Sequence, residues 1–377
     1  MDLDFSPEQV QLQDSVQRLL RDHYRFEQRR KYVASATGWS AEAWKQYAAT
    51  GLLSILVPEE CGGLGWGARE LLPVMQQMGR SLTLEPYFAT AVLGVSLLAS
   101  AGGHCSELLE SVSAGEHRLA VAHEEPNSDL SSVRLQAKEA GGRWLLSGRK
   151  CAVLHARDAD TIIVSARVQE GREGVGLFTI QPGAAGLGRH DYLLIDGRSS
   201  SNLVLNQVPA DLLIAPSGQT ATALARTMAI GTAALVSEAA GAGRAALDYT
   251  TDYMKTRKQF GRSLSEFQAL RHRAADMLIS VETVEAMARL AAVAADAQPS
   301  SAAEADLAGA KLLAGRHGRW VCEQAIQLHG AIAMTDEYIA GNFLQRLAVI
   351  DTLLGTQDAQ LDRLRAEDLF HSPIESA

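Results

Sequence analysis

The sequence predicts a multidomain α+β fold: a helical N-terminal segment, then an antiparallel β domain, then a C-terminal four-helix bundle. Three observations carry this expectation. A capped amphipathic run opens the chain, a block of short β-favouring runs lies between about His117 and Pro216, and four long helical segments follow with short breaks between them. The expected boundaries are 1–116 for the helical domain, 117–216 for the β domain and 217–377 for the bundle.

Ser6-Pro7-Glu8-Gln9 has the form of a capping box, with Ser6 as N-cap, Pro7 at the first helical position and Gln9 reaching back. Leu12, Val16, Leu19 and Leu20 then recur at helical spacing. Trp39 to Leu53 reads as a second amphipathic unit, "PEECGGLGWGARE" as a loop, and Leu71–Ser81 and Tyr87–Ala101 as further helices, with Tyr87 and Phe88 in the core. In the middle, "RLAVAHEE", "SVRLQAKEAGGRWLLSGRKCAVLHA", "DTIIVSARV", "GLFTIQP" and "SNLVLNQV" are β-favouring runs separated by turns. The Gly-Gly of "AGGRW" predicts a hairpin. Beyond Pro216, helices are expected over about Gln219–Met254, Leu264–Ala297, Ser301–Leu328 and Thr335–Leu364. Their breaks fall at Phe260-Gly261-Arg262, Gln298-Pro299-Ser300 and His329-Gly330, and short connections make the bundle antiparallel.

The 377 residues are enough for two or three packed domains, and 47% apolar with 21% charged content is that of an ordinary globular protein. A net charge of −9 without a sustained basic stripe argues against nucleic acid as a partner. Cys61, Cys105, Cys151 and Cys322 lie far apart without metal-ligand spacing, so reduced thiols are expected rather than disulfides or zinc. His104, His190 and His317 likewise lack a second ligand at metal spacing. The start "MDLDFSPEQV" has no hydrophobic signal core and no apolar run is long enough to span a bilayer, so a cytoplasmic location without membrane attachment is expected.

The stretch "TRKQFGRSLSEFQ" carries the chemistry. Arg257 can clamp a phosphate at two points, Phe260 offers a flat apolar face, Gly261 lets the backbone turn, and Gln268 presents both a donor and an acceptor. These suit a pyrophosphate joined to an aromatic ring system; a helix corner with merely solvated arginines is the alternative.

With the domain order, this corner, "HRAADM" (His272 to Met277) and "AIQLHGAIAMTDEY" (Ala325 to Tyr338), the chain resembles the acyl-CoA dehydrogenase family over essentially its whole length. Pro58, Glu59, Gly62 and Gly63 resemble the family's first-domain loop. "LEPYFAT" and "SGRKCAVLHARDAD" are similar to the small or partner subunits of bacterial heteromeric enzymes, such as pimeloyl-CoA dehydrogenase and steroid side-chain dehydrogenases. The resemblance implies the acyl-CoA dehydrogenase fold, a dimer of dimers, and an FAD shared across a subunit interface. Arg257, Phe260, Gln268, Gln327 and Gly330 would contact the adenine–diphosphate side of a neighbour's FAD, and Thr356 is a further expected cofactor contact. It also implies α,β-desaturation of an acyl-CoA thioester, with electron-transfer flavoprotein as reoxidant.

Departures from the family pattern are as informative. Its catalytic glutamate stands before Gly-Thr near the last long helix, where this chain has Leu354, or before an Arg at the start of the bundle, where it has Ala225. Neither can take a proton. Asp351, Glu238, Asp336 and Glu337 are the remaining acids to weigh, each with a structural role or plain exposure as the favoured alternative, and Asp351, one turn before Leu354, ranks first among them. The Trp and Thr that face the flavin ring are replaced by Ala152 and Leu154, and the Gly-Gly-x-Gly turn reads Gly330-Ala331-Ile332-Ala333. His123 to Asp129 resembles a loop near flavin and acyl-CoA, making Ser128 and Asp129 candidate contacts, with an Asx-type turn as the alternative. Arg226 is a candidate for the CoA phosphates. One arrangement accounts for retained and lost positions together: an α2β2 enzyme in which a paralogous partner subunit supplies the glutamate and ring pocket. The alternatives are a homotetramer using Asp351, a non-catalytic structural subunit, and a flavin monooxygenase or oxidase on the same fold.

Overall fold

The computed structural model describes residues 5–127, 130, 132–168 and 174–366. In chain order the helical part holds α1 (Pro7–His23), α2 (Phe26–Val33), α3 (Ala41–Ala49), α4 (Ala68–Ser81), a π-helical segment Phe88–Gly94 continuing into α5 (Val95–Ala101), and α6 (Ser106–Ser113). The β domain holds β1 (Leu119–Ala122), β2 (Gln136–Ala140), β3 (Arg143–Leu154), β4 (Thr161–Val168), β5 (Gly174–Ile180), β6 (Leu187–Leu193) and β7 (Ser199–Ile214). After α7 (Gly218–Thr256) come the two-residue strands β8 (Lys258–Gln259) and β9 (Arg262–Ser263). The chain then forms α8 (Gln268–Asp296), α9 (Ser301–His329), α10 (Ala340–Thr352) and α11 (Gln357–Ala366). Helical N-terminal part, β middle domain and C-terminal bundle thus follow one another as the residue patterns require.

Contacts gather into two units. One draws on the described parts of Arg29–Gly67 and Leu84–Gly231. Its sheet runs β1-β4-β2-β3-β7-β5, with β6 on β7 and an added β4–β5 pairing that closes the sheet on itself. Pairing is antiparallel except where β1 and β2 run parallel to β4. The Gly141-Gly142 turn joins β2 to β3 with both φ values positive, as a two-residue type I′ hairpin demands. Leu146, Ile162, Val164, Phe178, Leu203 and Val208 fill the interior. Tyr87 and Phe88 are buried, and Glu85 accepts from Ser40 N–H (3.1 Å) and Tyr47 Oη (3.1 Å).

The other unit draws on the described parts of Met1–Gln28, Ala68–Thr83 and Thr232–Ala377. The Ser6 capping box forms in full: Ser6 Oγ accepts from Gln9 N–H while the Gln9 amide accepts from Ser6 N–H. Small residues let α4 and α7 approach closely, since a Cβ on Gly241 would collide with the Gln76 carbonyl and one on Gly79 with that of Glu238. Asp296, at the end of α8, accepts from Ala68 and Arg69 N–H and so caps α4.

One expectation fails here. The fourth bundle segment is two helices, because Leu353 is extended and Leu354 (φ +56°) and Gly355 (φ +100°) turn left-handed. Buried Lys311 of α9 holds the break, donating to the carbonyls of Ile350 (2.8 Å), Asp351 (3.3 Å) and Gly355 (3.3 Å). Gln360 donates to the Leu354 carbonyl (3.0 Å) from the other side. Among the described residues no helix is long and apolar enough to cross a membrane.

Candidate cofactor-binding corner

The helix break at Phe260-Gly261 is a β-hairpin rather than a simple corner. Helix α7 stops at Thr256, Arg257 N–H closes its last turn on the Tyr253 carbonyl (2.8 Å), and Lys258 and Gln259 pair with Ser263 and Arg262. Phe260 (φ +52°) and Gly261 (φ +80°) form the two-residue turn. A phenylalanine in this left-handed position carries a steric cost, yet the ring is 93% exposed. The hairpin is braced from beneath. The Arg262 guanidinium lies 4.0 Å over the Phe267 ring, and Ser263 and Glu266 form a capping box that holds the Glu266 carboxyl below its ordinary range. Helix α8 therefore starts at Gln268, later than the expected Leu264, because Ser263 and Glu266 fold the preceding residues into their own 3₁₀ turn.

Helix α9 ends beside this hairpin. Tyr253, one turn before Arg257, stacks on His329 (ring centroids 4.5 Å) and donates from its hydroxyl to the His329 carbonyl (3.3 Å). His329 Nδ1–H donates to the Ala325 carbonyl (2.7 Å), and burial lowers its pKa, so the ring stays neutral. Gly330 follows in a left-handed conformation with open space where a Cβ would point. Arg257, Phe260, Gln268, Gln327 and Gly330 are thus gathered at one end of the bundle, all exposed. Arg257, Gln268 and Gln327 have no side-chain hydrogen bond to any described residue, so a guanidinium and two amides stand free for a ligand. Exposed Ile332 and Met334 follow in the same turn.

Thr356 lies elsewhere. Its segment packs on α9 near Gly315, about 18 Å along the helix from Gln327. Its hydroxyl accepts from Ala359 N–H (3.4 Å), which caps α11. In the same region Asp351 Oδ2 accepts from Gln357 Nε2 (3.0 Å). Asp351 Oδ1 is buried against Gly315 with no hydrogen-bond partner among the described residues. Leu354 is buried. Glu238 is also buried and engaged by Arg346, whose guanidinium donates in turn to the Thr83 carbonyl (2.7 Å). Asp336 and Glu337 are exposed turn residues.

In the other unit, Ala225 and Arg226 are exposed on the first turns of α7. Arg226 lines a cleft of about 430 Å³ with Pro58, Glu59, Trp66, Ser96 and Ile230. At the end of β3, Ala152 (φ +52°) sits in a bulge and its N–H is taken by Asn202 Oδ1 (3.2 Å), while Leu154 is buried. Ser128 and Asp129 lie outside the described residues. The strand before them ends in a buried cluster that the sequence reading overlooked. Lys150 Nζ donates to the His123 carbonyl (2.9 Å), Glu125 Oε1 (2.8 Å) and Ser165 Oγ (3.0 Å). The sequence gives little signal for it, because Lys150 sits beside Arg149 and Ser147 in a strand of mixed character and only the fold buries it.

Tested against an extended dinucleotide, the corner fits: free cationic and amide groups flank an exposed aromatic ring. At the end of β3, Ala152 has no aromatic face and its N–H is taken by Asn202, and Leu154 is buried without a polar group, so these two positions do not fit a flavin ring. Comparison with known proteins bears on the same question. Residues 6–104, 119–208 and 221–367 match, in turn, the acyl-CoA dehydrogenase N-terminal, middle and C-terminal domains. The mitochondrial isovaleryl-CoA dehydrogenase of Solanum tuberosum is 31% identical over 329 residues, 84% of this chain and 79% of the relative. The chain belongs to the acyl-CoA dehydrogenase family. Among solved structures, a variant of the Tcur3481-Tcur3483 steroid ACAD superposes with a TM-score of 0.87 at 29% identity, covering 96% of this chain and 97% of that one. The ChsE4-ChsE5 complex from Mycobacterium tuberculosis superposes with a TM-score of 0.87 at 24% identity, covering 99% and 100%, a likeness of fold alone. This acyl-CoA dehydrogenase chain has the FAD-dependent oxidoreductase fold of its family.

Proposed function

We propose that this chain is one of two unlike subunits of an FAD-dependent acyl-CoA dehydrogenase that desaturates an acyl-CoA thioester, and that it contributes its corner to an FAD seated in its partner. The observation that carries the reading is a contrast. Arg257, Gln268 and Gln327 stand exposed and unengaged, whereas the positions that would serve a ring or a proton transfer are Ala152, Leu154, Ala225 and Leu354. In this arrangement Arg257 clamps the diphosphate, Gln268 and Gln327 pair with polar edges on the adenine side, and Phe260 covers the cofactor from the strained tip of its hairpin. The partner subunit would supply the ring pocket and the glutamate, and FAD, when bound, would supply the hydride acceptor, with an electron-transfer flavoprotein as the expected reoxidant. Likeness to the Tcur3481-Tcur3483 steroid ACAD supports a pairing of unlike chains and a bulky acyl group.

A homotetramer with Asp351 as base is the second reading, favoured by the buried, unbonded Oδ1. Against it stands the packing of that oxygen on Gly315, inside the bundle. Flavin content separates the readings. Expressed alone, the chain should purify nearly colourless; co-expressed with a paralogous dehydrogenase, it should share one FAD between each pair of unlike chains. Arg257→Ala in the complex should release flavin. A full complement of FAD on the chain alone, or unchanged retention in the Arg257→Ala complex, would overturn the proposal.

A further inference from the structure

A second cleft, of about 230 Å³, opens among α1, α4, α7 and α8, and its lining residues all belong to one unit. Gln13 and Gln17, one turn apart on α1, face Gln76, Gln77 and Arg80 of α4, while Arg244 closes it from α7. Gln76 and Gln77 are only 9% and 6% exposed, yet neither amide is hydrogen-bonded to any described residue. Their amide atoms are not sealed off but reach the space of the cleft, so an occupant can meet them directly. Gln13 and Gln17 have no side-chain partner among the described residues either. The two cations, by contrast, are already matched: Arg80 donates to Asp248 (2.7 Å), and Arg244 grips Glu285 at two points (2.8 Å each) and Glu282. The walls are fixed, because Gly79 and Gly241 seat α4 directly on α7.

We propose that this cleft binds a small neutral molecule bearing a donor and an acceptor side by side, the edge shared by primary carboxamides and nucleobases. Each of the four amides, free of other partners, can both donate and accept, which a donor–acceptor edge uses in full and a hydrocarbon or an acceptor-only anion does not. The volume lies below that of sites for drug-sized ligands, so the occupant has a single ring or less. The inference is independent of the FAD corner, which it neither uses nor touches.

The test is ligand-observed NMR and calorimetry on the full-length protein, in its assembled complex, with nicotinamide and uracil as probes and benzoate and benzene as controls. Nicotinamide or uracil should bind with a Kd on the order of 1 mM, as small fragments do. Gln77→Leu should weaken binding at least tenfold, and Arg257→Ala should leave it unchanged, which separates this cleft from the cofactor corner. Gln13→Leu, at the partly exposed rim, should weaken binding severalfold and serves should Gln77→Leu fail to fold. Absence of binding by both probes would overturn the proposal and leave a cleft holding water. So would preference for benzoate or benzene, or binding indifferent to both glutamine substitutions.

Discussion

His123 makes the pH dependence of stability a sharp test of the buried cluster in the β domain. Its Nε2–H donates to the Leu130 carbonyl (2.7 Å), and its Nδ1 accepts from Ser165 Oγ (2.9 Å), whose own lone pair receives Lys150 Nζ (3.0 Å). A proton on Nδ1 would reverse the Ser165 bond and set a second cation beside Lys150. Burial, and then the Lys150 charge, accordingly lower the His123 pKa from 6.5 to about 4. The folded value lies below the unfolded one, so between pH 6.5 and 4 the unfolded chain binds more protons. This contribution to stability is complete above about pH 6.5 and is lost as pH falls toward 4. The gap is worth ~3 kcal/mol in full, of which about 2 kcal/mol disappears between pH 7 and pH 5. Glu125, which also faces the cluster, is held below its ordinary range by burial-opposing bonds from Lys150 and the Leu135 and Arg134 N–H groups, so it stays charged in this window. His123→Gln is the matched variant, because a glutamine can accept from Ser165 and donate to Leu130 without titrating. Urea unfolding of both proteins at pH 7, 6 and 5 should show the wild type losing about 2 kcal/mol more than the variant across the series. Parallel losses would show that His123 does not titrate against Lys150, and the neutral-imidazole reading would be wrong.

Three further outcomes follow from the bundle unit. Lys311→Met strips a donor from three carbonyls around the α10–α11 break and should cost about 2–4 kcal/mol, with hydrogen exchange rising across 350–356; an unchanged exchange pattern would refute the capping role. Arg346→Met strands the buried Glu238 carboxylate and should cost about 3–5 kcal/mol, while adding Glu238→Gln should restore much of the loss; equal urea midpoints for the single and double variants would count against a buried pair. Gly241→Ala should destabilise by about 2 kcal/mol or more through the collision with Gln76, whereas Gly243→Ala, with only Val281 at 3.9 Å, should be neutral or stabilising by up to ~1 kcal/mol. Similar thermal midpoints for these two variants would contradict the close α4–α7 approach.

The sequence by itself determined what short-range chemistry can settle. Ser6 to Gln9 specifies a capping box, Gly141-Gly142 a type I′ hairpin, and the order of periodic runs the three-part architecture, because each depends on neighbours within a few residues. The Arg257-to-Gln268 stretch belongs with these only in part: the break at Phe260-Gly261 is legible in it, whereas the hairpin and the 3₁₀ turn that delays α8 to Gln268 are seen only in the structure. Tertiary structure alone decided the rest. Leu354 is left-handed not through any preference of leucine but because Lys311, 43 positions earlier, holds carbonyls on either side of it and Gln360 holds its own. Glu238 is buried and engaged by Arg346, 108 positions away, a pairing no stretch of sequence records. Gln76 and Gln77 read as polar helix residues in any window of the sequence, and only the seating of α4 on α7 buries them. Burial and long-range pairing are properties of the packed chain, and a residue's own neighbours along the sequence carry no record of them.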